Sequence, residues 1–275
     1  MTLAVQMKNN LGDADTGRGP SPAIWGDCPI LSILEGSMPG MALIDDFDKG
    51  GLVTSPTTSA ALVGLPYSGF GDTGSTITYS DELGGGVKLL TDGTQHDATS
   101  LFSLTHCFQV GLTKGPLWFE ARIKPSNITS TGLGWFVGLA DSTAKDGDVP
   151  LTDTAGALAD LNLIGFHSLD TDTGDVKPCY KADGVTAVDT ETVADAAAAA
   201  TYIKLGFKKS DTGLITWFIN NLAQAETYQV LEDSPSLDTA FPCDVALAPL
   251  LTLKVGALTG EQTLIMDWWR VVQQY

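Results

Sequence analysis

The sequence predicts an all-β protein, an antiparallel sandwich preceded by an extended N-terminal arm. Three observations carry that expectation. The 33 acids include only seven Glu, so 26 are Asp, and Lys+Arg number 15. Glu and Lys fill exposed helices, whereas Asp, Gly and Pro fill turns. Gly 30 and Pro 13 add to the turn-forming stock. The third observation is a succession of short alternating or wholly apolar runs separated by turn residues, the pattern of strands.

Residues 1–44 read as the arm. Pro20, Pro22, Pro29 and Pro39 forbid a long helix and favour extended backbone. Trp25, Ile30, Leu31, Ile33 and Leu34 are too apolar for a free linker. They are the candidate partner-binding residues, because an extended segment with large anchors lies along something.

Residues 45–275 read as the sandwich domain. In LWFEARIK, Leu117, Phe119, Ala121 and Ile123 face one way, and Trp118, Glu120, Arg122 and Lys124 the other. That is a half-buried strand, ended by Pro125. GWFVGLAD from Gly134 to Asp141 is apolar on both faces and predicts a central strand. LIGFHSL and VKPCYKA flank the turn Asp170 to Asp175, and YIKLGFKK and LITWFIN flank Ser210 to Gly213. Each pair predicts a hairpin. VALAPLLTLKVG and TLIMDWWRVVQ add two strands around a turn at 257–261. Trp268 and Trp269 are adjacent, so a strand sends them to opposite faces, and one of them leaves the core. Ala155–Asn162 and Ala196–Ala200 are the only short helical candidates.

The net charge of −18 removes any electrostatic drive toward nucleic acid or anionic membranes. The N-terminus has no basic start followed by an apolar run, so no secretory signal is expected. Cys28, Cys107, Cys179 and Cys243 are far apart, without a CxxC, and are expected as free thiols from a reducing cytoplasm.

Asp-Thr-Gly occurs at Asp15, Asp72, Asp172 and Asp211. Aspartic proteases pair two such loops, but turn preference accounts for all four. The loop from Asp170 lacks the sixth-position Gly and the twelfth-position Glu of a calcium loop, with Lys181 at the twelfth place. Asp141, Asp146 and Asp148 read as a second hydrated acidic loop. His96, His106 and His167 have no metal-ligand spacing, and no phosphate loop or nucleophile elbow is present. No catalytic, metal or cofactor site is therefore expected.

The strand series PLWFEARIKPSN, GWFVGLADST, LIGFHSLDTDTGDVKPCYKADG, YIKLGFKKSDTGLITWFINN and TLIMDWWRVVQ resembles phage virion structural proteins of the concanavalin-A-like, laminin-G-like jelly-roll group. The resemblance covers about residues 45–275. It implies a non-enzymatic capsid decoration (cement) protein on the outer surface of the virion, assembled in a bacterial cytoplasm. Its implied partners are the major capsid protein and further copies of itself, as dimer or trimer, with the arm across the seams. The alternative is a carbohydrate-binding adhesion module of a tail or fibre, with a host glycan as partner. The group also contains β-glucanases, which carry Glu-x-Asp-x-x-Glu on a strand. That string is absent here, and its absence argues against glycosidase activity.

Overall fold

The computed structural model describes residues 17–47, 53–54, 60–61, 66–80, 85–129, 131–145, 150–152, 155–231, 239–257 and 260–275. Residues 1–16 of the expected arm lie outside them, as do Asp15, Asp146, Asp148 and part of the turn at 257–261.

The first described elements are two single helical turns, α1 (Pro22–Trp25) and α2 (Ile30–Leu34). The expected extended course is therefore interrupted upstream of residue 40. Pro22 stands in the first turn, where its missing N–H is no loss, so proline starts this helix as readily as it would break a longer one.

Strands follow in order: β1 (Gly40–Asp45), β2 (Val53–Thr54), β3 (Ala60–Ala61), β4 (Tyr67–Gly71), β5 (Thr76–Tyr79), β6 (Val87–Leu90) and β7 (Ala98–Ser103). Then come β8 (Leu117–Pro125), β9 (Leu133–Ala140), β10 (Leu163–Ser168), β11 (Lys177–Lys181) and β12 (Val188–Asp189). The last are β13 (Ile203–Lys209), β14 (Leu214–Ile219), β15 (Leu222–Gln229), β16 (Ala248–Val255) and β17 (Thr263–Gln274). Both predicted hairpins form, as β10–β11 and β13–β14. Neither helical candidate does: 155–162 is a bend carrying an isolated bridge, and 196–200 is a turn. Such short Ala-rich runs do not sustain a helix without a packed face.

Among the described residues all the strand pairings are antiparallel, in two sheets. Sheet A runs β15-β14-β13-β8-β17-β6-β5-β2, with β1 also on β17; sheet B runs β12-β11-β10-β9-β16-β7-β4-β3. β1 and β6 lie end to end along one side of β17, pairing with its C-terminal and N-terminal halves.

The main core lies between the sheets. Sheet A contributes Leu117, Phe119, Ala121, Ile123, Phe207, Trp217 and Trp269, and sheet B contributes Leu101, Trp135, Val137, Phe166, Leu251 and Leu253. A bulge between Met266 and Trp268 shifts the phase of β17. Met266 and Trp269 both reach the core, while Asp267 and Trp268 emerge on the other face. This is the separation expected for the adjacent tryptophans.

Candidate functional site

The outer face of sheet A carries buried charged residues, among them Glu120, Lys204 and Asp267. β8 supplies Trp118, Glu120, Arg122 and Lys124, as its alternation predicted. Solvent does not cover them, however. Residues 18–27 cross over this face, and Trp118 and Glu120 are 5% and 0% exposed. Arg122 Nη1 donates to Asp267 at 2.7 Å, and Arg18 Nη2 reaches the other Asp267 oxygen at 2.6 Å. Burial pushes the Asp267 carboxyl up, and the two guanidinium groups pull against it.

Glu120 accepts the Ser21 N–H at 3.0 Å and Trp25 Nε1–H at 2.6 Å, both on Oε2. Its Oε1 is buried without a hydrogen-bond partner. Burial raises the Glu120 pKa, and the bonds from Ser21 and Trp25 and the charge of Lys204 offset this only in part. Trp268 Nε1–H donates to the Arg18 carbonyl at 2.8 Å, and Lys204 Nζ to the Gly19 carbonyl at 3.3 Å. Arg122 and Lys124 both stand over the Tyr202 ring, at 3.7 and 4.8 Å from its centroid.

Where the crossing segment leaves the sheet it borders an open cleft of about 420 Å³. Asp27, Pro29 and Met38 form one wall; Pro116, Trp118, Lys208, Lys209, Ser210, Asp211 and Gln274 form the rest. Asp27 accepts Trp118 Nε1–H at 3.0 Å and Lys208 Nζ–H at 2.9 Å. Burial would raise its pKa, but these two bonds outweigh it and hold the carboxylate below its ordinary value. The cleft thus joins an indole, two carboxylates, a hydroxyl, an amide and ammonium groups. That mixture can bond the hydroxyls of a polyol, with the largely buried indole forming part of the cleft floor.

The expected partner-binding residues divide between two environments. Ile33 is buried, and Trp25 and Ile30 are partly buried, in a cluster with Ile24, Trp118, Phe218 and Val272 of the same chain. Leu31 and Leu34 point outward, 53% and 43% exposed.

The other motifs resolve into turns and packing. The described Asp-Thr-Gly copies place Gly74, Gly174 and Gly213 at φ +90°, +88° and +82°, where a side chain would be strained. Asp172 accepts the Leu169 N–H and Lys177 Nζ–H, so its carboxylate serves its own turn. His167 is buried and bonded to Asp189 at 2.8 Å. None of the four cysteines is in a disulfide. Glu120 and Asp267 were passed over in the sequence. The signal that could have found them is a charged residue on each of two strands that also carry outward-facing tryptophans.

No protein-family model matches this chain, and no curated protein matches it in sequence. Solved structures do match in shape. A Bacillus licheniformis β-glucanase is 16% identical with a TM-score of 0.52, over 84% of this chain and 98% of the other. The peanut lectin is 14% identical with a TM-score of 0.52, over 86% and 97%. A structure described under endo-acting O-glycanases of the human gut microbiota is 11% identical with a TM-score of 0.57, over 85% and 99%. The fold is the concanavalin-A-like jelly roll.

This fold corrects one expectation. The chain was expected not to be an enzyme, yet the same fold carries a β-glucanase and a mucin-degrading glycanase, so it is compatible with enzyme activity. The Glu-x-Asp-x-x-Glu string places its carboxylates on one strand. A sheet can instead bring acids from neighbouring strands to one face, as it does with Glu120 on β8 and Asp267 on β17.

Proposed function

We propose that this chain is a carbohydrate-binding jelly-roll module. The observation that carries this reading is the cleft beside Trp118, where Asp27, Lys208, Asp211, Ser210 and Gln274 surround an indole. Support comes from the fold, which is shared with a lectin and with glycan-degrading enzymes. In the virion setting that the strand pattern suggests, such a module would serve adsorption from a tail or fibre. Capsid decoration receives no support from the structural likenesses.

The test is a glycan array followed by titration calorimetry on the full chain, with released reducing sugar followed in parallel. Asp211→Ala and Lys208→Ala are expected to weaken binding about tenfold each, as loss of a charge-assisted hydrogen bond implies. An array without a positive, or variants that bind as well as the parent, would sink the reading.

A further inference from the structure

We infer that residues Arg18–Asp27 form a releasable strap over a cationic floor on sheet A, and that an acidic polysaccharide is the ligand class that displaces it. This rests on the carbohydrate reading and extends it to a second, covered part of the same face.

The first argument is the way the strap is attached. Among the described residues, its backbone–backbone hydrogen bonds stay within the segment or reach only as far as Cys28. Its links to the sheet go to side chains instead. Ser21 N–H reaches Glu120, Ala23 N–H reaches Asn221 Oδ1 at 3.0 Å, and the Arg18 and Gly19 carbonyls receive Trp268 and Lys204. No ladder joins it to a strand, and Ile24 is its one fully buried apolar side chain. Segments held this way open locally, without global unfolding.

The second argument is the floor. A permanent cover is held better by apolar packing than by buried ions, whose desolvation offsets their attraction. Here the covered strands present Glu120, Arg122, Lys204 and Asp267 beside Trp118 and Trp268. Glu120 keeps one oxygen without a partner under the cover. A floor of this chemistry suits a surface that is also wetted or occupied by a polar ligand.

The third argument is the sign of the charge. The chain carries 15 Lys and Arg against 33 acids. Five of those cations, Arg122, Lys124, Lys204, Lys208 and Arg270, belong to this one face of β8, β13 and β17, where the strands supply only Glu120 and Asp267 as acids. The strap meets Lys204 with the Gly19 carbonyl and Lys208 with Asp27, while Arg122 is held by Asp267 and Arg270 by Asp46. A chain of uronate units brings carboxylates and hydroxyls that satisfy the same donors, and neutral glycans lack the charge.

Hydrogen–deuterium exchange on the full chain, read over 18–27 and over β8, tests both parts. The strap is expected to exchange about tenfold or more faster than β8. Polygalacturonate is expected to speed it further, an effect that fades with added salt, while dextran leaves it unchanged. Strap and β8 exchanging together would overturn the release. Dextran acting as strongly as polygalacturonate would overturn the acidic class while leaving carbohydrate binding intact. A strap that opens but answers to neither polymer would also overturn the ligand assignment. If the glycan array is blank as well, the carbohydrate reading falls with it.

Discussion

Glu120 shows how a single buried acid couples this face to pH. Its pKa is raised from 4.5 by burial in the folded chain. The folded state therefore holds this proton more tightly than the unfolded state does. The stability it contributes is intact below about pH 4.5 and is lost as pH rises toward the folded value. Glu120→Gln keeps an acceptor for the Ser21 and Trp25 donors and removes the ionisation. The variant is expected to match the parent in urea midpoint near pH 4 and to exceed it at pH 8. Equal midpoints at both pH values would show that the carboxyl is solvated after all. Asp267 is a different case. Burial raises its pKa too, but two arginines bracket it and oppose that rise.

At the scale of elements, β8 and β13 make a seat for the strap. Gly206 stands opposite Glu120 in the ladder, and a methyl group there would come within 2.5 Å of Ile24 Cδ1 and 2.7 Å of the Phe119 carbonyl. Gly206→Ala is therefore expected to cost about 2 kcal/mol and to loosen the strap, since overpacking at a close approach forces backbone shifts. Ile24→Ala, which empties the same seat from above, is expected to cost about 2 to 4 kcal/mol. Thermal melts on both variants check these values. The alternation of β8 was legible in the sequence because it is local: Leu117, Phe119, Ala121 and Ile123 repeat every second residue. What covers Trp118 and Glu120 was not legible. The bond from Ser21 to Glu120 spans 99 residues, and that from Trp268 to the Arg18 carbonyl spans 250. No window of sequence contains both partners. The bulge at Asp267 was hidden for a related reason, because it changes which side chain faces out without altering the apolar pattern that marks a strand.

Across the whole molecule, the antiparallel sandwich was predictable from turn residues and strand periods, while the strand order was not. Order depends on which distant edges meet, and β17 is the extreme case. The last strand in the chain lies at the centre of sheet A, between β8 on one side and β1 and β6 on the other, with Gly40 opposite Gln274. This placement has a consequence for biosynthesis. Until Thr263–Gln274 has left the ribosome, β8 lacks one neighbour and β1 and β6 have lost their main one. Sheet A cannot close until then, and β1 must wait for β17. A chain ending at Gln262 is expected to remain protease-sensitive throughout and to be retained by chaperones, whereas a chain that includes Thr263–Gln274 becomes resistant. Protection of the N-terminal half on stalled ribosomes would contradict this. β1 and β8 thus each wait for a partner strand made long after them, and their unpaired edges stay exposed until β17 emerges.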